Sequence, residues 1–300
     1  GDVQPYIFGG TISGYASGGI PTSGATAINK YSFTSDGNAT THGNLTSRGN
    51  MRFMSGVSSG THGYTVGGGG GTPGTNTDRI DKFAFAGSSV TATDVGNLTS
   101  TSFDRTNTSS TETHGYCAGG ESTAHANIDK IAYASDGNAV DSGSDLSLGR
   151  YGGAGTSSLT HGYVGGGCVN TPTREDRIDR YAFASSGTAT DVGNLTERRD
   201  SGAAASSSTH GYFAGGYAGA SNLNTIDKWA FTSSTNATDV GDLSRASRHL
   251  ASSSSITHGY AAGGEASVDV IDKWSLISDA NGTDVGNLVT GKDGMAGNQY

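Results

Sequence analysis

The stretch SSSTHGYFAGG, residues 206–216, carries side chains that could do nucleophilic or acid–base chemistry: serines, a histidine, a tyrosine and a glycine pair. His210 could serve there as a base or a metal ligand. The same wording surrounds His62, His114, His161 and His258, each followed by Gly-Tyr and then by Gly-Gly. A metal site needs three or four ligands converging within about 2–2.3 Å of one ion. Equivalent positions of a repeat lie far apart on a ring. The five histidines are therefore expected to be scaffold groups that hydrogen-bond a turn or a neighbouring repeat. No catalytic residue, metal or cofactor is expected, and the chain reads as a non-enzyme.

The elements that position them repeat as well. Tyr-x-x-Gly-Gly occurs six times, with its tyrosines at Tyr6, Tyr64, Tyr116, Tyr163, Tyr212 and Tyr260. A second phrase follows each: INKYSF, IDKFAF, IDKIAY, IDRYAF, IDKWAF and IDKWSL. It places Asp81, Asp129, Asp179, Asp227 and Asp272 at one position, with Asn29 in the first unit. That carboxylate shares a strand face with aromatics two and four residues on, such as Trp229 and Phe231. Packed between repeats, it needs a hydrogen-bond or arginine partner. A third phrase, typified by ATDVGNL, closes each unit.

No segment has helical periodicity. Short aromatic and β-branched runs alternate with Gly, Asn, Asp and Ser, which predicts four strands per unit. Strand A is a Ser/Ala stretch, B carries the tyrosine, C the second phrase and D the third. Four antiparallel strands repeated six times at about 50 residues predict an all-β, six-bladed β-propeller. One domain, 1–300, is expected, with blades starting near the six tyrosines. Residues 289–300 resemble a strand A without its strand B and are expected to close the ring on the N-terminal blade.

At YFAGGYAGASNLNTIDKWAF the sequence resembles the kelch repeat: a strand ending in Gly-Gly, then a spaced aromatic. The later tryptophan of that pattern is replaced here by Thr-Asp-Val, so the blades are kelch-like. The wording of the repeats is also similar to that of repeat proteins of tailed bacteriophages of marine cyanobacteria. That resemblance implies a virion or tail-fibre component, found in the virion or outside cells, with other virion proteins and a host-surface receptor or glycan as partners, and room for a homo-oligomer.

Composition narrows the partners. A net charge of −9 over 300 residues gives no support to nucleic-acid binding or to an anionic membrane surface. No apolar run reaches the roughly 20 residues of a membrane helix. The chain begins at Gly1 and shows no signal peptide, which reads as a processed or cloned fragment. Cys117 and Cys168 are expected to be buried thiols. Asn-x-Ser/Thr recurs with the repeat, for example at Asn38, Asn236 and Asn281, as turn chemistry would have it.

Arg48, Arg105, Arg150, Arg199, Arg248 and Lys292 recur ahead of strand B. They could form a cationic ring at a channel mouth or pair with neighbouring blades. Between Gly-Gly and the strand-C isoleucine the units differ in length, from 6 residues (265–270) to 17 (11–27). Variable loops on a rigid frame are where recognition sits. Tyr15, His125, Arg174 and Tyr217, each unique to one loop, are the candidate ligand contacts. Their aromatics would stack on sugar rings. A purely structural virion protein and a sialidase-like enzyme, which would need a carboxylate pair at the channel mouth, are the alternatives.

Overall fold

The computed structural model describes residues 9–21, 25–46, 51–70, 76–101, 107–121 and 125–300. Tyr6, Arg48 and Arg105 lie outside them. The described chain is all-β, and its six antiparallel sheets form the blades of a six-bladed propeller. Strand A is Ser55–Ser58, Asn107–Ser110, Ala154–Ser157, Ala203–Ser206 and Ala251–Ser254 in blades 2 to 6. Strand B is Ser13–Ser17, His62–Val66, His114–Ala118, His161–Gly165, His210–Ala214 and His258–Ala262 in blades 1 to 6. Strand C runs from Ala27–Ser32 in blade 1 to Val270–Ser275 in blade 6, and strand D from Thr40–Asn44 to Thr283–Asn287.

The ring closes through the C-terminus. Ala296–Gln299 is strand A of blade 1 and pairs antiparallel with Ser13–Ser17, Ala296 opposite Ser17 and Gln299 opposite Gly14. This register corrects the phase of the first repeat. Tyr15 lies opposite Lys30, as Tyr64 lies opposite Lys82 and Tyr212 opposite Lys228. The first repeat phrase is therefore Gly14-Tyr15-Ala16-Ser17-Gly18-Gly19, not the one beginning at Tyr6.

Each blade buries both faces. One face of strand C carries the aspartate, Asn29 in blade 1, with mostly aromatic residues two and four positions on, and the other carries isoleucine and a lysine or arginine. The repeat tyrosine stacks on the last aromatic of the next blade's second phrase. The pairs are Tyr15 on Phe85 at 4.9 Å, Tyr64 on Tyr133 at 5.0 Å, Tyr116 on Phe183 at 4.7 Å, Tyr163 on Phe231 at 4.6 Å and Tyr260 on Phe33 at 4.7 Å. Blade 6 offers Leu276 instead of an aromatic, and the Tyr212 hydroxyl donates to its carbonyl at 3.2 Å.

The glycine of His-Gly-Tyr belongs to this packing. The Trp229 indole lies flat over Gly211 on the neighbouring strand, and a Cβ there would stand 2.5 Å from the ring. Gly211→Ala should destabilise the protein by about 1–3 kcal/mol through overpacking. Urea unfolding followed by tryptophan fluorescence would measure it.

At the axis, strands A meet almost backbone to backbone. A Cβ on Gly56 would overlap the carbonyl of Gly297. The free space encircled by Gly56, Thr108, Gly155, Ala204, Ser252 and Gly297 is about 50 Å³, enough for a few waters only. The serines that end strand A form a belt. The backbone N–H groups of Ser110, Ser157 and Ser206 donate to the hydroxyls of Ser157, Ser206 and Ser254 at 2.9–3.0 Å. Gln299 N–H returns to the Ser58 hydroxyl at 3.1 Å.

Candidate functional site

The histidines sit in the A–B turns. His210 Nδ1 is 2.8 Å from the Thr209 hydroxyl, and its backbone N–H donates to Ser207 Oγ at 3.0 Å. His62, His114, His161 and His258 repeat the arrangement with Thr61, Thr113, Thr160 and Thr257. Burial first, and then the nearby Lys228, hold the His210 pKa below its usual value, which keeps the ring neutral at pH 7. No group of three or more metal-ligating side chains occurs among the described residues.

The repeat carboxylates fasten one blade to the next. Asp227 accepts from Thr196 N–H at 2.8 Å and from its hydroxyl at 2.7 Å, and Thr196 follows strand D of the preceding blade. Asp81 holds Thr46, Asp129 holds Thr99 and Asp179 holds Ser147 in the same way. Asp272 bonds Ser244, and Asn29 accepts from Val289 N–H at 3.0 Å. The asparagine of the C–D turn adds a second bridge. Asn38, Asn138, Asn236 and Asn281 each accept a backbone N–H from strand D of the preceding blade at 3.0–3.1 Å.

The four described cations, Arg150, Arg199, Arg248 and Lys292, do not line an open ring. Arg150 and Arg199 are fully buried, paired with Asp179 at 2.8 Å and Asp227 at 2.9 Å inside their own blades. Their place behind strand B, in contact with its carbonyls, takes them away from the channel. Lys292 donates to the Pro21 carbonyl at 3.1 Å, and Arg248 pairs with Glu265.

The opposite face, built from B–C loops and D–A connectors, combines a uniform backbone with individual side chains. The second glycine of each pair donates to the connector entering the next blade: Gly120 to Arg150 O, Gly167 to Arg199 O, Gly216 to Ser247 O and Gly264 to Lys292 O. Both glycines adopt φ values that L side chains rarely take, +68° at Gly215 and +102° at Gly216. The residue after the pair bridges the connector that enters its own blade: Cys168 with Tyr151, Tyr217 with Asp200, Glu265 with Arg248 and Ile20 with Asp293. The backbone geometry recurs, while the side chain it carries reads Cys168, Tyr217, Glu265 and Ile20 in blades 4, 5, 6 and 1.

Of the four candidate contacts, the structure brings two together. Arg174 and Arg248 both lie over the Tyr217 ring, 4.5 and 4.2 Å from its centroid. Arg174 pairs with Asp200 at 2.6 Å, and Glu265 joins Arg248 to Asn222, which donates to it at 2.7 Å. Blades 4, 5 and 6 are thus bridged by one chain of charge and π contacts. Two guanidinium groups thus pack against the ring that the sequence marks as a sugar-stacking candidate. The Tyr217 hydroxyl donates to Gly219 O at 2.7 Å.

His125 stands apart from this cluster. Its carbonyl accepts from Arg150 N–H, as Glu175 and Leu223 accept from Arg199 and Ser247. Its backbone role is repetitive and its half-buried side chain is individual. Tyr15 is not a loop residue. It is the repeat tyrosine of blade 1, with 0% of its surface exposed, and the first B–C loop shortens to residues 20–27. No protein-family model matches the chain. No curated protein matches it in sequence. The sequence does not single out Asp200, Asn222 and Glu265. A signal for Asp200 lies in the fifth residue after the third-phrase leucine, which reads Tyr151, Asp200, Arg248 and Asp293 in successive blades.

Proposed function

We propose that the chain is a non-enzymatic recognition module, a kelch-like virion or tail-fibre propeller that contacts a host-surface receptor or glycan through its B–C loop face. The observation that carries this reading is the contrast on that face. Conserved backbone hydrogen bonds hold positions whose side chains are thiol, phenol, carboxylate and aliphatic in turn. A face built only for packing would repeat its side chains as it repeats its bonds. The wording of the repeats, similar to that of phage virion proteins, supports the assignment to a virion.

The sector centred on Tyr217 is the proposed contact. Its guanidinium edges and its Asn222 and Glu265 groups suit a ligand rich in hydroxyl and acidic groups. Asp200 pairs with Arg174 at 2.6 Å, and Asp293 lies 2.9 Å from His249 Nδ1. Held by these partners, the two carboxylates suit a binding surface better than acid–base catalysis.

Binding to host cells and to a glycan array tests the proposal. Tyr217→Ala, which releases both arginines, should weaken binding by about tenfold or more, in line with the loss of an aromatic anchor. Replacing loop 217–224 with the blade 6 loop should abolish it. Undiminished binding by both variants would refute the assignment to this face.

A further inference from the structure

The rim of the ring supplies an internal template for a second site, independent of the B–C loop face. At three junctions the strand-C lysine pairs with an aspartate in the C–D turn of the next blade: Lys82 with Asp136 at 2.8 Å, Lys228 with Asp279 at 2.5 Å and Lys273 with Asp36 at 2.5 Å. Between blades 3 and 4 the lysine is retained, as is Lys30 between blades 1 and 2, where Ser88 stands at the aspartate's position. Lys130 lies opposite Tyr116 in the register that Lys82 has with Tyr64 and Lys228 with Tyr212. The facing turn, however, reads Ser185-Ser186-Gly187, and Ser186 occupies the aspartate's position.

The place of the missing carboxylate is open. A recess of about 160 Å³ lies there, lined by Tyr116, Lys130, Ser142, Ser144, Ser185 and Ser186. A second recess of about 200 Å³, on Arg180 and His161, shares Ser144, Ser185 and Ser186 with the first. Asp141, on the strand beside Lys130, pairs with Asp129 and so belongs to the other face of the blade. Its Oδ1 accepts from Gly143 N–H at 2.8 Å. In three sister blades the protein supplies its own carboxylate to this lysine. Here the cation and the hydroxyl donors remain and the carboxylate does not.

We propose that this recess binds an acidic sugar of the uronate class. The ligand carboxylate takes the position that Asp136 and Asp279 occupy in their blades, against Lys130 Nζ. The serine hydroxyls meet the ring hydroxyls. Hydrogen bonds to a charged group set the orientation, and solvent exposure keeps affinity modest.

Titration of the full chain with glucuronate, read by NMR, tests the site. The expected result is saturable shifts confined to Lys130 and residues 184–187. Ser186→Asp should weaken binding by about tenfold or more, because it restores the internal pair seen in three other blades and is tolerated by the fold there. Lys130→Met should do the same. Unweakened binding to Ser186→Asp would overturn the proposal. So would equal shifts with glucose, which lacks the carboxylate, with acetate or N-acetylaspartate, which lack the sugar, or at the paired Lys82 and Lys228.

Discussion

Truncation after Leu288 should leave a chain with no cooperative unfolding transition near room temperature, or with a melting temperature lower by more than about 15 °C. The deleted segment supplies the inner strand of blade 1 and the contacts that join it to blades 2 and 6. Asn298 donates to Val57 O at 2.8 Å and Tyr64 O at 3.3 Å, Gln299 N–H reaches the Ser58 hydroxyl, and Tyr300 stacks on Phe85 at 5.3 Å. The Tyr300 carbonyl accepts the N–H groups of Thr11, Ile12 and Ser13. Met295 and Ala296 are buried in the cluster between blades 6 and 1 and the cluster between blades 1 and 2 respectively. Loss of the Met295 side chain alone would cost about 2–5 kcal/mol. Stripping the inner edge of blade 1 adds unpaired backbone at about 1–3 kcal/mol per buried group. The sum rivals the 5–15 kcal/mol that holds a typical domain together. Calorimetry of the truncated chain checks this, and a peptide of residues 289–300 added in excess should restore part of the transition by mass action. An unchanged melting temperature would remove the closure from the account of stability.

This closure was legible because strand A announces itself by composition. Small residues recur ahead of each A–B turn, and Ala296–Gln299 is the remaining stretch that lacks a following strand B. The phase of the first repeat is marked by a subtler signal. The repeat needs glycine before its tyrosine, because the strand-C aromatic packs onto that backbone: Tyr31 lies over Gly14 as Trp229 lies over Gly211. Pro5 precedes Tyr6, whereas Gly14 precedes Tyr15. Reading Gly-Tyr-x-x-Gly-Gly as the unit sets Tyr15 49 residues before Tyr64, within the spacing of the other repeats. The correction also changes what varies. With the first loop reduced to residues 20–27, loop length carries less information than the side chains fixed upon the loops. The Tyr217 cluster could not be read along the chain, because its members come from three blades. Only the register of the ring places Arg174 beside Asp200, and Arg248 over Tyr217. The inter-blade carboxylates were foreseeable as buried groups in need of partners. Their partners, Thr46, Thr99, Ser147 and Thr196, lie 30 to 35 positions earlier and belong to a phrase that looks like an ordinary strand end.

Asp227→Ala should destabilise the protein by about 3–5 kcal/mol, the cost of leaving one member of a buried ion pair alone. Asp227 and Arg199 have fully buried side chains 2.9 Å apart. Arg199 lies over Phe213 at 5.0 Å, and burial already draws its pKa down against the pull of Asp227. Without the carboxylate the guanidinium keeps a long bond to Phe213 O at 3.4 Å, and Thr196 loses the acceptor of its N–H and hydroxyl. Blade 1 shows how the site accommodates loss of the carboxylate when the cation changes with it. Asn29 stands for the aspartate and accepts from Val289 N–H, while Lys292 stands for the arginine and turns to Pro21 O. Arg199→Met combined with Asp227→Asn should therefore recover most of the loss, with a coupling energy above about 1.5 kcal/mol in a double-mutant cycle. The rim pair is the control. Lys228 and Asp279 are closer still, at 2.5 Å, but the aspartate side chain is 58% exposed. Asp279→Ala should cost less than about 1 kcal/mol, and high salt should shrink that cost while leaving the effect at Asp227 intact. Denaturant unfolding of the variants at two salt concentrations separates the two cases. Equal losses at Asp227 and Asp279 would mean that exposure, rather than the ion pair itself, has been misjudged as the source of the latch's strength.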